Sequence, residues 1–480
     1  MFKSKSKERL LFAKHKTKHR NRLPWFWTLV SVLLSLAILE LVTRIFIDLS
    51  GKRSEFAQAT SQLNSTAAYR LKFVNEDGQP YQTSDSKGVL VAQRSLSVGY
   101  QLAKDQNHQY WQINDRGFRD SDSIPVVKPK DEIRIILLGN STAFGYGSSG
   151  NEVTIGELLE ARLQKRIEQQ ISSPQLYQSD LPLSVEKSQT LTTETKPTQP
   201  TAPKPPRIKQ GKYRVINAAV PGYASGNQLA QLALQLLNYK PDLVIAVDGY
   251  SDLMLTSSQK AIDLPELQNY LAAKPNNVKS YVSQVLQPLE DKSYVVKIAK
   301  DKWLDAPDPN KQSNFLLTES TENLVRYLPQ DDKELQARID RYAQNHKQIL
   351  ALCAAAKIPL IVASQPEITG RDPSKLTPQE GSIVTQLGRS YIRKIKDNYP
   401  KFIAANQQLA KIYPYNVKAV DLYSFNTKED NYPTPTFIDE IHLTDEANQS
   451  VADRLYYAIS AFPKMQVLPK VPTKPLEIKK

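Results

Sequence analysis

Ile133-Arg134-Ile135-Ile136-Leu137-Leu138, followed at once by Gly139-Asn140-Ser141-Thr142-Ala143-Phe144-Gly145-Tyr146-Gly147-Ser148-Ser149-Gly150, decides how the chain is read. A short, nearly unbroken apolar run fits a strand buried on both faces, and such strands belong to parallel sheets covered by helices. A turn rich in glycine and small polar residues then leads to an amphipathic stretch, Thr154–Gln169. The cadence recurs downstream. Arg214–Ala219, Leu243–Val247, Pro359–Ala363 and Val417–Leu422 are further apolar runs, separated or followed by the amphipathic stretches Asn227–Asn238, Lys333–Ala356, Gln386–Ile412 and Asp445–Ala461. Pro400 is expected to break or kink the third of these stretches. Strands alternating with helices predict an α/β fold over residues 131–462, a doubly wound α/β/α sandwich around a five-stranded parallel sheet of the flavodoxin-like type.

Two stretches interrupt the rhythm. Residues 172–210 are rich in Ser, Thr, Gln, Pro and Lys and cannot bury a core, so they read as a disordered or extended insertion. Residues from about 255 to 330 read as a polar helical insertion of the kind that forms lids. Without both, about 215 residues remain, a suitable size for one domain. Upstream, residues 52–130 carry short alternating runs such as Gly88–Gln93 and a turn-like segment, Asn114–Arg119, and read as a β-rich extension packed on the main domain. The tail 463–480, with four prolines and five lysines, reads as loose.

The first 47 residues read differently. Residues 1–24 hold nine Lys/Arg and one acid, so +8 of the net charge of +14 lies there. Residues 25–47 (WFWTLVSVLLSLAILELVTRIFI) match the length of a membrane-spanning helix, with Trp25, Phe26 and Trp27 suited to the headgroup level. Glu40 and Arg44, four residues apart, can pair near the far end. The small-residue pattern at Ala57–Ala59 lies about ten residues beyond the apolar run, and that run is long for a signal peptide. An uncleaved signal anchor is expected, with a basic cytoplasmic tail inside and the rest of the chain outside the cytoplasm. Because the positive charge is mostly local, nucleic-acid binding loses its main support. A composition of 40% hydrophobic and 23% charged residues over 480 positions excludes a polytopic membrane protein and a wholly disordered chain. Cys353 is the single cysteine, which excludes an intrachain disulfide and any multi-cysteine metal site. Sequons at Asn64 and Asn140, and the lack of disulfides in an exported domain, point to a bacterial inner membrane and periplasm.

Parallel sheets carry their active sites at the carboxyl ends of strands, so the loops there are read next. Gly145, Gly147 and Gly150 form G-x-G-x-x-G, but a dinucleotide site needs an acid about 20 residues on, and the second strand arrives only about 65 residues later, ending in Asn217-Ala218-Ala219. A phosphate-binding loop fails for want of G-K-[ST], and Ala143 stands where the last glycine of a G-x-S-x-G elbow belongs. Ser141 between strand and helix is either a simple helix-start residue or a nucleophile, and a nucleophile needs a base. His15 and His19 lie in the basic tail, His108 in the extension, and His346 within a long helical pattern whose solvated face explains it. His442 remains, after the last strand, with Asp439 three residues before it. That spacing lets the carboxylate hold the Nδ1–H and leaves Nε2 for the serine. Gly222, after the second strand, supplies a backbone able to approach an oxyanion closely, and Asp248-Gly249-Tyr250-Ser251-Asp252 follows the third.

Gly139-Asn140-Ser141, Gly222, Gly249-Tyr250-Ser251-Asp252 and Asp439-x-x-His442 together resemble the SGNH/GDSL hydrolase superfamily, over about 131–462. The Asn114–Arg119 segment and the N-terminal anchor are similar to its envelope-associated members. The resemblance implies Ser141 as nucleophile, His442 as base, Asp439 as orienting group, and an oxyanion hole from the Ser141 and Gly222 amides with Ser251. Two positions depart from the family pattern: Asn140 replaces the usual Asp, and Ser251 replaces an Asn whose amide completes the oxyanion hole. The implied function is a membrane-anchored serine esterase acting outside the cytoplasm on an acyl ester, with O-acyl groups on envelope glycan or lipid as the substrate class. An O-acyltransferase using the same triad and a non-catalytic scaffold are the alternatives. No cofactor is needed for this chemistry, and the histidines lack partners at metal-ligand spacing.

Overall fold

Among the described residues of the computed structural model, which are 30–31, 34–35, 68–74, 88–95, 97–178, 204–258, 321–424 and 435–467, the strands are β1 (Leu71–Val74), β2 (Leu90–Ser95), β3 (Gly99–Leu102), β4 (Gln106–His108), β5 (Trp111–Ile113), β6 (Glu132–Gly139), β7 (Lys212–Asn217), β8 (Leu243–Asp248), β9 (Leu360–Ser364) and β10 (Val417–Asp421). The α-helices are α1 (Ser141–Phe144), α2 (Ile155–Ser172), α3 (Ser225–Gln231), α4 (Tyr250–Met254), α5 (Asp332–Ala355), α6 (Pro378–Ile412) and α7 (Asp445–Ser460). Contacts divide the chain into two units, Met1–Ser61 and Gln62–Lys480. The four described residues of the first are helical, and Ser35 Oγ donates to the Ser31 carbonyl. Among the described residues no helix is long and apolar enough to cross a membrane. The anchor read at 25–47 lies almost wholly outside them, as do 179–203 of the first insertion, 259–320 of the second and 468–480 of the tail.

In the second unit β6–β10 form one parallel sheet in the order β10-β9-β8-β6-β7. Strand order reverses after the first two strands, which is the flavodoxin-like pattern. Right-handed crossovers then require helices on both faces. Helices α2 and α7 pack together, while α5 packs against both α3 and α6. The apolar runs are explained by this cover: every residue of β8 and β9 is buried, whereas the edge strand β10 is only half-buried. The register aligns Gly139, Val247, Ala363 and Val420 in one row, so the loops after four strands start level at one edge.

Two expected boundaries move. The second strand begins at Lys212, because Tyr213 and Arg214 already pair with Ile133 and Arg134. Helix α6 starts at Pro378 behind a Thr377–Glu380 capping box, its non-helical residue is Gly388 (φ 76°), and Pro400 lies inside the continuing helix. The break sits where glycine reaches a positive φ without steric cost, not at the proline.

The extension belongs to the scaffold of the sheet edge. Strands β1–β3 form a three-stranded sheet and β4–β5 a hairpin. Asn114 Oδ1 accepts from the Arg116 and Phe118 amides and folds the Asn114–Arg119 segment into a tight turn. This turn delivers Arg119, which is 1% exposed, to the loop after α1. Its guanidinium donates to the carbonyls of Phe144 (3.0 Å), Gly145 (2.6 Å), Tyr110 (2.9 Å) and Gly150 (3.2 Å), to Asn151 Oδ1 (3.0 Å) and to the Tyr69 hydroxyl (2.7 Å). Among the described residues no carboxylate pairs with it. Burial lowers its pKa, but arginine keeps its proton and its charge is solvated by carbonyl dipoles. Arg119→Ala strands several buried carbonyls and is expected to cost about 3 kcal/mol or more in urea unfolding. Arg119→Lys, a single ammonium unable to span them, recovers less than half. A loss below about 1 kcal/mol for the alanine variant would mean that the carbonyls find other donors.

Candidate active site

Ser141 opens α1 directly after β6 and is 3% exposed. The turn is tight because Gly139 has no side chain: a Cβ there would fall 2.4 Å from Ala143 Cβ and 2.7 Å from the Val247 carbonyl. Asn140 caps the helix, its Oδ1 accepting from the Thr142 amide at 3.1 Å. The first amides of a helix have no intrahelical acceptor, so the Ser141 N–H sits where an anion is favoured.

Asp439–His442 forms a reverse turn closed by the Phe437–Leu443 bridge and by the Ile438 amide donating to the His442 carbonyl. His442 Nδ1 lies 2.6 Å from Asp439 Oδ2, while Asp439 Oδ1 accepts from the Ile441 (3.0 Å) and His442 (2.7 Å) amides. Burial pushes the Asp439 pKa up, but the imidazole and these amides outweigh it and hold the carboxyl below the usual carboxylate range. Tyr146 stacks on the His442 ring at 4.3 Å. Among the described residues, the buried His442 Nε2 has no hydrogen-bond partner. It is not hydrogen-bonded to Ser141; the two loops are joined next door, where Thr142 Oγ1 donates to the Ile441 carbonyl at 3.2 Å.

Gly222, in the turn after β7, has φ 86°, a conformation that favours glycine. The extension grips this turn: the Tyr100 hydroxyl donates to the Pro221 carbonyl (2.6 Å), the Tyr223 hydroxyl to the Tyr100 carbonyl, and Asn227 Nδ2 to the Val98 carbonyl (3.0 Å). Ser251, in the first turn of α4, accepts from Asn140 Nδ2 at 3.1 Å. The structure thus joins the turn that bears Ser141 to the loops of Asp439, His442 and Ser251 through hydrogen bonds of its neighbours Asn140 and Thr142, with Gly222 in the turn after β7. His346, read as lying on a solvated helix face, is instead 1% exposed, with Nε2 3.4 Å from Asp248 Oδ2. The polar patterning of α5 hid a buried pair.

Sequence reasoning missed two sets of residues. Gln365 follows β9 and bonds both Asn140 and Thr142, and the rule that directs attention to strand ends covers that position too. Glu367 and Glu440 form a buried acidic pair beside Asp439. Glu367 accepts from the Thr369 amide (2.8 Å) and from the Tyr391 hydroxyl (3.3 Å), which also meets the Tyr250 hydroxyl at 2.9 Å. Burial raises Glu367 to about 7 and, with the charges of Asp439 and Glu367, raises Glu440 well above its ordinary value.

Solved structures similar to this chain are GDSL-type lipases, acylhydrolases and esterases. A lipase/acylhydrolase from Enterococcus faecalis is 12% identical, matching 71% of this chain and 100% of its own (TM-score 0.31). A variant of an acetyl-xylooligosaccharide esterase from Geobacillus is 12% identical over 70% and 96% (TM-score 0.33). A GDSL-like lipase from Bacteroides thetaiotaomicron is 12% identical over 68% and 86% (TM-score 0.28). No family model and no curated protein matches by sequence. The site is therefore argued from its own geometry.

An acid with a raised folded-state pKa favours folding while protonated, so its contribution is lost as pH rises from about 4.5 through about 7. Glu367→Gln keeps a carbonyl acceptor for the Thr369 amide. It is expected to flatten the pH dependence of stability by about 3 kcal/mol between pH 5 and pH 8. Urea unfolding at both pH values checks this; equal slopes for variant and wild type contradict it.

Proposed function

We propose that the chain is a serine esterase of the SGNH/GDSL type, anchored in a membrane through residues 25–47 and hydrolysing an acyl ester outside the cytoplasm. The observation that carries the reading is the imidazole of His442: its Nδ1 is held by Asp439 at 2.6 Å and its buried Nε2 is unpartnered among the described residues, in a loop bonded to the residue after Ser141. Ser141 Oγ attacks the acyl carbon while His442 Nε2 takes its proton. The amides of Ser141 and Gly222, with the Ser251 hydroxyl, receive the negative charge on the carbonyl oxygen. As the tetrahedral intermediate collapses, the alkoxide leaves with the proton from Nε2. Water, deprotonated by His442, then releases the acid and regenerates Ser141. Asp439 stays ionised throughout and stabilises the imidazolium, consistent with its lowered pKa. An O-acyl group on an envelope glycan or lipid is the substrate class that fits an enzyme tethered there.

Treating the full chain in detergent with a fluorophosphonate probe, and assaying it on a short-chain aryl ester, tests the chemistry. Wild type is expected to label and turn over. Ser141→Ala is expected to do neither, and Asp439→Asn to lose about 10³-fold or more in kcat. A folded wild type that neither labels nor hydrolyses removes the esterase reading in favour of a scaffold.

The anchor is tested separately. Full-length chain is expected to stay in the membrane pellet after alkaline carbonate extraction, and a chain lacking residues 1–47 to move to the supernatant. Full-length chain in the supernatant rules the anchor out.

A further inference from the structure

The two positions that depart from the family motifs touch each other. Asn140 Nδ2 and Ser251 Oγ are 3.1 Å apart, with the residues 1% and 2% exposed. The direction of this bond is fixed by its surroundings. Asn140 Oδ1 is occupied as the helix cap for the Thr142 amide, so the nitrogen faces Ser251. Its other hydrogen goes to Gln365 Oε1. Gln365 is oriented in turn, giving Nε2 to Thr142 Oγ1 at 3.2 Å, and Thr142 passes its own hydrogen to the Ile441 carbonyl beside His442. Both hydrogens of Asn140 Nδ2 are thereby assigned. An amide nitrogen only donates, so Ser251 Oγ must accept from it. The hydroxyl hydrogen of Ser251 is therefore left without an acceptor among the described residues.

We propose that Asn140 and Gln365 are positioning residues that turn the Ser251 hydroxyl into an obligate donor to the developing oxyanion. The inference rests on the esterase reading. It makes the two departures a single matched change. A carboxylate at position 140 would accept the Ser251 hydrogen and take it away from the substrate, and it would also face Gln365 Oε1. An asparagine at position 251 has two amide hydrogens, so it can give one to a carboxylate at 140 and keep one for the substrate. The native pair, Asn140 with Ser251, leaves a donor free, and so does a carboxylate at 140 opposite a side-chain amide at 251. A carboxylate at 140 opposite the native Ser251 does not. Restoring the common G-D-S motif alone is thus expected to damage this enzyme.

The test uses the full chain in detergent, with kcat and KM on an aryl acetate, fluorophosphonate labelling rate and thermal midpoint for each variant. Asn140→Asp is expected to lower kcat about 10²-fold, the scale of one lost oxyanion donor, with KM nearly unchanged. Asn140→Asp combined with Ser251→Asn is expected to return to within about tenfold of wild type, a rescue that a merely structural role would not give. In a Ser251→Ala background, Asn140→Asp is expected to add no further loss, because the hydroxyl it misdirects is gone. Wild-type kcat in Asn140→Asp, or a full additive loss in the Ser251→Ala background, overturns the proposal while leaving the esterase reading intact. A wild type that neither labels nor hydrolyses sinks both. Should Asn140→Asp fail to fold, Gln365→Met carries the same test: kcat falls with KM held, and an unchanged kcat overturns the role.

Discussion

A guanidinium buried without a carboxylate partner among the described residues is the constraint on which the site depends. Desolvating Arg119 is costly unless its donors are all met, and they are met by carbonyls of the loop that follows Ser141. The loop cannot drift without leaving that charge unsolvated, so its backbone is fixed by electrostatics as much as by packing. Tyr69 strengthens the arrangement, since its hydroxyl accepts from Arg119 and donates to the Ser148 carbonyl at 2.6 Å. The far end of the same loop is tied to α7, where Asp445 accepts from the Ser149 amide and hydroxyl and Asn448 donates to Ser148 Oγ.

This explains why a β-rich extension stands in front of an α/β domain. It delivers Arg119 to the loop after Ser141 and Tyr100 to the Gly222 turn, so two of the loops at the sheet edge are buttressed from outside the sheet. The remaining loops are cross-braced from within. The strand register brings Gly139, Val247 and Ala363 level, and the polar residues just beyond them, Asn140, Ser251 and Gln365, fall within hydrogen-bond reach. Positioning by register leaves each side chain few alternatives, which is how a short serine and a capping asparagine acquire fixed donor and acceptor roles.

The sheet was legible because burial on both faces leaves unbroken apolar runs in β6, β8 and β9, a signal that survives without any helix prediction. The pairing of His442 with Asp439 was legible because residue type restricts the options: few histidines, one of them three residues from an acid. Gln365 was not legible, because a glutamine after a strand has many uses and only its partners reveal this one. The helix break at Gly388 was missed because proline is the stronger breaker on average, yet Pro400 sits inside a long helix packed on β9 and β10, where tertiary contacts override propensity. Hydrogen-bond direction, which carries the deepest reading of the site, has no trace in sequence pattern at all.

Two histidine–aspartate pairs lie in this domain, and composition alone does not rank them. At His346, Nδ1 meets the Tyr342 carbonyl at 3.1 Å, and Nε2 lies 3.4 Å from Asp248 Oδ2, an ion-pair distance without a hydrogen bond among the described residues. Burial opposes its charge, but Asp248 more than offsets this and its pKa is raised. Such a ring, enclosed between α5 and β8, braces the strand end that carries Gly249 and Ser251, and its Nε2 faces a carboxylate. At His442 the carboxylate takes only Nδ1, Tyr146 covers one face of the ring, and Nε2 has no partner among the described residues, in a loop fastened to the turn that bears Ser141. A buried polar atom left unsatisfied costs free energy, and His346 Nε2 shares that state, so what separates the two rings is the neighbour: a carboxylate facing Nε2 at His346, the turn that carries Ser141 at His442. Only the second arrangement suits the proposed reaction, in which Nε2 takes a proton from a serine rather than facing a carboxylate.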